Sequence, residues 1–287
     1  MKEGLSLIID VHVHPIFQET PKTPDAVHMI ECLELTSKNY FGRSQRILSI
    51  AEFLKEMHEA KIDKIVLQLA ASKGAPIRPS NIQASMFIQK FPDKFIGFAG
   101  FDPNRGEEAI ADIEYAVKEL GFKGLKTVPS MLELNINDKA FYPCYAKAQE
   151  LGVPIMIHTG ASSLVMGCRI KYSEPSMVDD VAFDFPNLKI ICAHMGGHQY
   201  MDVYNMLVRH RNVYADLCFY PLNPRYKNTI PWSLLEETVP DKILLGSDYP
   251  CGQTPKEAVE AVRALPISED FKLKVLGENA SRLLGLK

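Results

Sequence analysis

Eight short apolar runs, separated by helical patterns, constrain the fold of this chain more than any other feature of its sequence. The runs extend over residues 7–12, 64–70, 95–101, 122–128, 154–159, 188–194, 213–217 and 243–248. They are nearly continuous in apolar residues, which is typical of parallel strands buried on both faces. Most neighbouring runs are about 22 to 36 residues apart, which suits one βαβ unit of ~30 residues. The alternation predicts an α/β fold, and eight units predict a closed (β/α)8 TIM barrel.

One interval between runs is longer than the others. Residues 16–49 come between the first run and the first long helical pattern, at 50–60. They predict an insertion after the first strand, which could serve as a lid. We find no linker, internal repeat or low-complexity segment that divides the sequence. The sequence therefore predicts a single domain over residues 1–287 that carries the insertion at 16–49.

The charge balance and the cysteines exclude several classes of partner. Lys and Arg number 32 and Asp and Glu 35, giving a net charge of -3, so no basic excess favours nucleic acid or an anionic membrane. No apolar run approaches the ~18 residues of a membrane span. The six cysteines form no Cys-x-x-Cys pair, which is typical of free thiols in a reducing compartment. The sequence predicts a cytoplasmic protein that acts on a small molecule.

Four of the apolar runs end at polar residues that could bind a metal or transfer a proton. His12 ends the first run and His14 follows it, so both can point into the barrel at its C-terminal rim. His158, His194 and Asp248 lie at or next to the ends of the fifth, sixth and eighth runs. One such residue alone is usually a histidine with a local hydrogen bond or a capping aspartate. Four strand ends with the same pattern predict a site at one face, suited to Zn²⁺ with Mn²⁺, Fe²⁺ or Co²⁺ as alternatives.

These motifs resemble the amidohydrolase superfamily, and more narrowly its amidohydrolase-related branch, which includes aminocarboxymuconate-semialdehyde decarboxylase. The resemblance extends over residues 9–250. It rests on the segments 9–15, 124–126, 157–158, 193–197 and 246–250. The TatD-like deoxyribonuclease branch is similar at the first strand, but it carries a glutamate at the fourth strand and a Glu-Thr-Asp ending. Neither of these is present in this sequence.

The resemblance implies a role for each strand-end residue. His12, His14, His158 and Asp248 are expected to bind one divalent metal, with Zn²⁺ as the first expectation. Asp248 and His194 are expected to be catalytic. Asp248 would accept the proton of the activated water, and His194 would orient that water or polarise a carbonyl or carboxylate of the substrate. The nearby Asp10 is expected to support the site rather than to bind the metal.

The residues that recognise substrate are less well defined. Lys126, at the end of the fourth strand, leaves two alternatives open. Some superfamily members bridge two metals with a carboxylated lysine at this strand; otherwise Lys126 is an ammonium group that pairs with a carboxylate, and one metal is usual in this branch. Arg43, Arg46 and Arg169 are candidates for binding a substrate carboxylate, because a guanidinium group suits bidentate recognition. Most surface arginines are simply solvated.

The sequence predicts an enzyme and leaves two reactions open. The first expectation is a metal-dependent hydrolase, in which metal-activated water attacks the carbonyl of a lactone, amide or ester in a small, carboxylate-bearing substrate. The alternative is a metal-dependent non-oxidative decarboxylase, a carbon–carbon lyase, acting on an unsaturated or aromatic carboxylic acid. The same ligands support both reactions. An inactive scaffold would have lost ligands, and none is lost here. Homodimers are frequent in the family, so a homodimer is a further expectation by analogy.

Overall fold

The computed structural model describes residues 6–20, 24–160, 168–251 and 253–286. Eight strands follow one another in chain order within one sheet. They are β1 (Ile9–Val13), β2 (Lys64–Gln68), β3 (Phe95–Gly100), β4 (Gly124–Thr127), β5 (Ile155–Ile157), β6 (Ile190–Cys192), β7 (Val213–Asp216) and β8 (Ile243–Leu244). From β3 to β7 each strand pairs with the next in parallel. Every predicted run overlaps a strand, and the strand residues are almost all buried, as their apolar character requires.

The eighth strand returns to the first. The Val11 amide donates to the carbonyl oxygen of Leu245 at 2.9 Å, and Val13 forms a parallel bridge with Tyr249. The eight parallel strands therefore form a nearly closed barrel surrounded by helices, and the predicted (β/α)8 fold is confirmed. In such a barrel the C-terminal ends of all strands lie at one face, which is where catalytic groups are found.

Helices separate the strands along the chain, as the sequence pattern predicts. They are α1 (Pro24–Thr36), α2 (Ile50–Ala60), α3 (Arg78–Lys90), α4 (Glu107–Lys118), α5 (Pro129–Leu132), α6 (Tyr142–Leu151), α7 (Met177–Asp184), α8 (Tyr200–Arg209), α9 (Trp232–Thr238), α10 (Pro255–Arg263), α11 (Glu269–Leu273) and α12 (Asn279–Leu284). No helix in the described ranges is both long enough and apolar enough to cross a membrane.

Helix α2 shows why these segments are helical. The Ser49 hydroxyl accepts from the Glu52 amide at 3.3 Å, and the Glu52 carboxylate accepts from the Ser49 amide at 2.8 Å. This reciprocal cap satisfies two amides that the first helical turn leaves without intrahelical partners. Phe53, Met57 and Ala60 are buried and recur at helical spacing, so α2 presents one apolar face to the core.

The chain groups into two compact units. One comprises Met1–Val66 with Leu217–Lys287, and the other comprises Leu67–Asp216. The first unit contains the strands β1 and β8 and the helices α1, α2 and α9 to α12. The second unit contains the strands β3 to β7 and the helices α3 to α8. The single domain over residues 1–287 stays a prediction.

The predicted insertion at 16–49 has regular structure of its own. It contains α1 and, directly after it, a π-helical turn at Ser37–Phe41 that ends at Gly42 in the left-handed conformation. The sequence analysis assigned no helix here, although α1 is 13 residues long. Residues 21–23 of the insertion lie outside the described residues.

Candidate functional site

The end of β1 presents two imidazole groups to one carboxylate. His12 lies within the strand and is buried, and His14 follows the strand and is partly exposed. Because residues two apart on an extended chain point the same way, both rings face Asp248. Their Nε2 atoms each lie 3.3 Å from its Oδ1. The spacing of two residues between the histidines therefore places both rings beside the same carboxylate.

Asp248 has a strained backbone conformation and is held in place by hydrogen bonds to β1 and the residue that follows it. Its φ of 56° lies in the left-handed region, which costs a residue with a side chain roughly 1–2 kcal/mol. The Asp248 amide donates to the carbonyl oxygen of His12 at 2.8 Å, and the His14 amide donates to that of Tyr249 at 2.8 Å. The loop after β8 is thus hydrogen-bonded to the same stretch of chain that carries the two histidines, and this fixes the carboxylate beside their rings.

These three side chains have the chemistry of a divalent-metal site. One ligand atom from each of His12, His14 and Asp248 lies within 4.8 Å of the other two. Two imidazole nitrogens and a carboxylate oxygen are a donor set that Zn²⁺, Mn²⁺ and Fe²⁺ accept in enzymes. A cation would also offset the cost of burying the Asp248 carboxylate, which is fully removed from solvent. The residues therefore fit the predicted metal.

The second compact unit brings the other two predicted histidines together. His158 follows β5, His194 follows β6, and both are buried. Nε2 of His194 lies 3.0 Å from Nδ1 of His158, so the two rings share a hydrogen bond. Both belong to strand ends of the parallel sheet, as the sequence predicts. Ligation by His158 and a catalytic role for His194 stay predictions.

An unusual backbone positions His194. Four consecutive residues from His194 to Gly197 have positive φ values between 47° and 74°. The two glycines tolerate this conformation, whereas His194 and Met195 are strained in it. The His194 amide donates to Oδ1 of Asp216 at 2.9 Å, and Asp216 is fully buried at the end of β7. Asp216 thus secures the strained turn that carries His194.

Neither Asp216 nor Cys218 was among the predicted site residues. Asp216 could have been found, since it is the last residue but one of the apolar run 213–217. Cys218 carries no comparable signal. Its Sγ lies 3.2 Å from Nδ1 of His12, a contact that only the folded chain reveals.

A second buried thiol borders the carboxylate. Burial and the negative charge of Asp248 raise the pKa of Cys251 well above its usual value, so the thiol stays protonated.

Asp10 supports the site, as expected. Its Oδ1 accepts from the amides of His12 and Ser247, both at 3.0 Å. The carboxylate thereby ties the end of β1 to the loop that carries Asp248.

Two of the predicted substrate residues are paired with carboxylates of the protein. Arg43 forms a bidentate ion pair with Glu257, at 2.8 and 2.7 Å, and Arg46 pairs with Glu56 at 2.9 Å. Burial acts to raise the pKa of Glu257, but hydrogen bonds from Arg43 and from the Thr254 amide outweigh it and hold that pKa below its usual value. Arg43 thus joins the insertion to α10, and Arg46 joins it to α2.

The other two candidates differ in their exposure. Lys126 is buried within β4, with 1% of its surface exposed. Arg169 is exposed. A substrate role for Arg43, Arg46, Lys126 and Arg169 stays a prediction.

The insertion returns to the barrel at Tyr249, the residue after Asp248. The amide of Leu48 donates to the Tyr249 hydroxyl at 2.7 Å. The Tyr249 ring lies 5.0 Å from that of Phe53 and 6.2 Å from that of Phe17, measured between ring centres. Tyr249 therefore contacts the start of the insertion, its end and the helix that follows.

Aromatic packing anchors the middle of the insertion. The rings of Tyr40 and Phe41 lie 4.9 and 5.4 Å from that of Phe219, which follows β7. The Asn223 side chain donates to the carbonyl oxygen of Tyr40 at 3.0 Å. The insertion is thus held by the loops after both β7 and β8, and its role as a lid stays a prediction.

A (β/α)8 barrel with a histidine and aspartate cluster at its strand ends defines a class of metal-dependent barrel enzymes. Within that class, the sequence model described as amidohydrolase matches residues 9–286. The chain belongs to the amidohydrolase family, and the resemblance recognised in its sequence is confirmed.

Two curated relatives are decarboxylases. The 2-amino-3-carboxymuconate-6-semialdehyde decarboxylase of Dictyostelium discoideum is 27% identical over 72% of this chain and 65% of its own length. The gamma-resorcylate decarboxylase of Rhodococcus jostii is 23% identical over 84% of this chain and 89% of its own length. The chain thus matches slightly less than two thirds of the first of these relatives. A match to an enzyme family agrees with the predicted enzyme, a hydrolase or carbon–carbon lyase.

Solved structures show the same fold. A TIM-barrel protein of Bordetella bronchiseptica superimposes with a TM-score of 0.78 at 22% identity, over 97% of this chain and 98% of the other. A dihydroxybenzoic acid decarboxylase of Polaromonas, solved with bound manganese, has a TM-score of 0.68 at 19% identity, over 98% and 97% of the two chains.

Proposed function

We propose that the protein is a metal-dependent, non-oxidative decarboxylase of a small unsaturated or aromatic carboxylic acid. The observation that carries the proposal is the convergence of His12 and His14 on Asp248 in a chain whose curated relatives include two decarboxylases. The sequence analysis placed hydrolysis first and decarboxylation second. The relatives support the second reaction better than the first.

The proposed metal site consists of His12, His14, His158 and Asp248. A bound divalent cation would supply a positive charge that anchors the substrate carboxylate and stabilises negative charge as the carbon–carbon bond breaks. Zn²⁺ and Mn²⁺ are the metals to test first, the latter because the Polaromonas decarboxylase was solved with manganese. The inclusion of His158 rests on its position at the end of a parallel strand, where these barrels gather their ligands.

Asp248 and His194 are the proposed catalytic groups. Decarboxylation breaks the bond between the carboxylate carbon and its neighbour, releases CO₂ and leaves an electron pair on that neighbour, which then takes up a proton. The Asp248 carboxylate is buried, and we assign it to take a proton from water and to deliver that proton to the carbon. His194 is buried as well, and we assign its imidazole to orient the substrate carboxylate. General acids of this kind contribute about 10²–10⁴-fold to a rate.

A cytoplasmic location and a homodimer complete the proposal. Five of the six cysteines are buried and all six are free thiols, as is usual for a protein of a reducing compartment. Size measurement in solution tests the homodimer.

The proposal is tested by following CO₂ release in heavy water. Protein loaded with Zn²⁺ or Mn²⁺ is incubated with gamma-resorcylate and with carboxylated muconate semialdehydes, and the products are examined by NMR. We expect CO₂ and one deuterium on the carbon that carried the carboxylate. Asp248→Asn should abolish both signals, whereas Cys144→Ala, a change at a buried thiol outside the proposed site, should preserve them. Hydrolysis of lactones or esters by a protein that releases no CO₂ from any acid would refute decarboxylation and favour the hydrolase.

A further inference from the structure

Cys218 touches the far side of a proposed metal ligand. It lies two residues after β7 and is fully buried. Its Sγ is 3.2 Å from Nδ1 of His12, while Nε2 of the same ring is 3.3 Å from Oδ1 of Asp248. The imidazole of His12 is therefore contacted through both of its nitrogens, with the thiol on one side and the carboxylate on the other.

The position of Asp248 decides which nitrogen of His12 would meet a metal. Nε2 faces the carboxylate, so ligation through Nε2 requires the other nitrogen, Nδ1, to carry the proton of the neutral ring. Nδ1–H then donates, and the sulfur of Cys218 accepts. Metal-binding histidines commonly donate this second N–H to a carboxylate, a backbone carbonyl or water, and the partner fixes the orientation of the ring. Here a cysteine sulfur occupies that place.

We propose that Cys218 is a positioning residue of the metal site, whose sulfur accepts a hydrogen bond from His12 and holds Nε2 toward the metal. The inference rests on the proposed metal site and goes beyond it, because it assigns a use to a residue outside the set of ligands. Cys218 itself does not contact the metal in this proposal.

The backbone around Cys218 is held from both sides. The amide of Leu217 donates to the carbonyl oxygen of Leu244 at 3.0 Å. Phe219 has a φ of 59°, an uncommon conformation for a bulky residue. Its ring packs against Tyr40 and Phe41 of the insertion. A strained residue persists only where its surroundings hold it. The packing around Phe219 therefore fixes the location of the neighbouring Cys218 thiol.

If Cys218 only filled space, its replacement would lower the stability of the fold without a specific effect on metal binding. Cys144 serves as the matched control, since it is a free thiol that is as thoroughly buried as Cys218 and is not in the proposed site. Replacing either cysteine by alanine removes the same atom from a buried position. The change at Cys218 also removes an acceptor that lies beside His12, whereas the change at Cys144 does not, so we expect only the former to affect the metal.

The experiment measures the dissociation constant for Zn²⁺ by competition with a chromophoric chelator, for wild type, Cys218→Ala, Cys218→Ser and Cys144→Ala. We expect Cys218→Ala to weaken binding by at least about tenfold, the lower end of the usual effect of losing such a partner. Cys218→Ser should weaken it less, because its hydroxyl oxygen can still accept, although the shorter C–O bond lengthens the contact. Cys144→Ala should match wild type, and urea unfolding without metal should show similar losses of stability for the two alanine variants.

The outcomes separate this inference from the proposed function. If wild type binds Zn²⁺ and Cys218→Ala binds it equally well, the positioning role is wrong and the metal site stands. Equal losses in Cys218→Ser and Cys218→Ala would assign the effect to packing and would also overturn the role. If wild type binds no divalent metal, the metal site and this inference both fail. Should Cys218→Ala not fold, Cys218→Val takes its place, because valine fills a similar space and offers no acceptor; unchanged affinity in that variant refutes the role.

Discussion

Replacing Tyr249 by phenylalanine should loosen the insertion while leaving the barrel folded. The Tyr249 ring is fully buried and packs against Phe53 and Phe17, and phenylalanine keeps that packing. The substitution removes the hydroxyl oxygen that accepts from the amide of Leu48 at 2.7 Å. One hydrogen bond between the insertion and the loop after β8 is therefore lost with almost no change in shape.

The size of the effect follows from burial. Leu48 is only 4% exposed, so its amide cannot replace the lost acceptor with water unless the segment opens. Leaving a buried donor unpaired costs about 1–3 kcal/mol. At about 2 kcal/mol, the equilibrium population in which the end of the insertion is open should rise roughly 30-fold, since 1.4 kcal/mol corresponds to a factor of ten.

Amide hydrogen exchange followed by mass spectrometry measures this opening directly. Peptides covering residues 44–52 should exchange about 30-fold faster in Tyr249→Phe than in wild type. Tyr145→Phe is the matched control, because the buried Tyr145 hydroxyl donates to the carbonyl oxygen of Ile136 at 2.7 Å. It should lower global stability by a similar amount and leave exchange at 44–52 unchanged. Identical exchange of this segment in wild type and Tyr249→Phe would show that the hydroxyl does not anchor the insertion.

Two further predictions concern the proposed ligands and the ion pair at the insertion. In elemental analysis, His158→Ala and Asp248→Ala should each have lost most of their bound metal. The control His58→Ala, at an exposed position of α2, should retain the metal. Full retention in both ligand variants would refute the assignment of His158 and Asp248 as ligands. Glu257→Gln should lower the unfolding free energy at pH 7 by at most about 1 kcal/mol, because its partner Arg43 is 44% exposed. Since the pKa of Glu257 is depressed in the folded chain, the difference between this variant and wild type should persist above about pH 4.3 and shrink as the pH falls through the folded pKa. Urea unfolding at several pH values measures it, and a difference that grows in acid would contradict the stated sign.

Much of the fold could be predicted from the sequence because strands buried on both faces leave a local mark. All eight apolar runs overlap strands, and α2 occupies the predicted residues 50–60. The predicted ends of the strands were less accurate than their positions along the chain. The predicted run 243–248 contains a strand of only two residues, Ile243–Leu244. Residues 245–249 still contact β1 through hydrogen bonds and one bridge, but Asp248 has a φ of 56°, which no regular strand accommodates.

The contacts of the site depend on segments that are remote along the chain. Cys218 and His12 are 206 residues apart, and Arg43 and Glu257 are 214 apart. Nothing near Arg43 in the sequence indicates that its guanidinium group would meet a carboxylate of α10 rather than a substrate.

By itself, the sequence determined the eight-stranded barrel, the family and the identity of the histidines and the aspartate at the strand ends, because apolar periodicity and residue type are local properties. Tertiary structure alone decided which groups lie beside those residues: the thiol of Cys218 next to His12 and the carboxylate of Asp216 at the amide of His194. A hydrogen bond forms only when donor and acceptor come within about 3 Å in a suitable direction. That condition depends on how the whole chain folds.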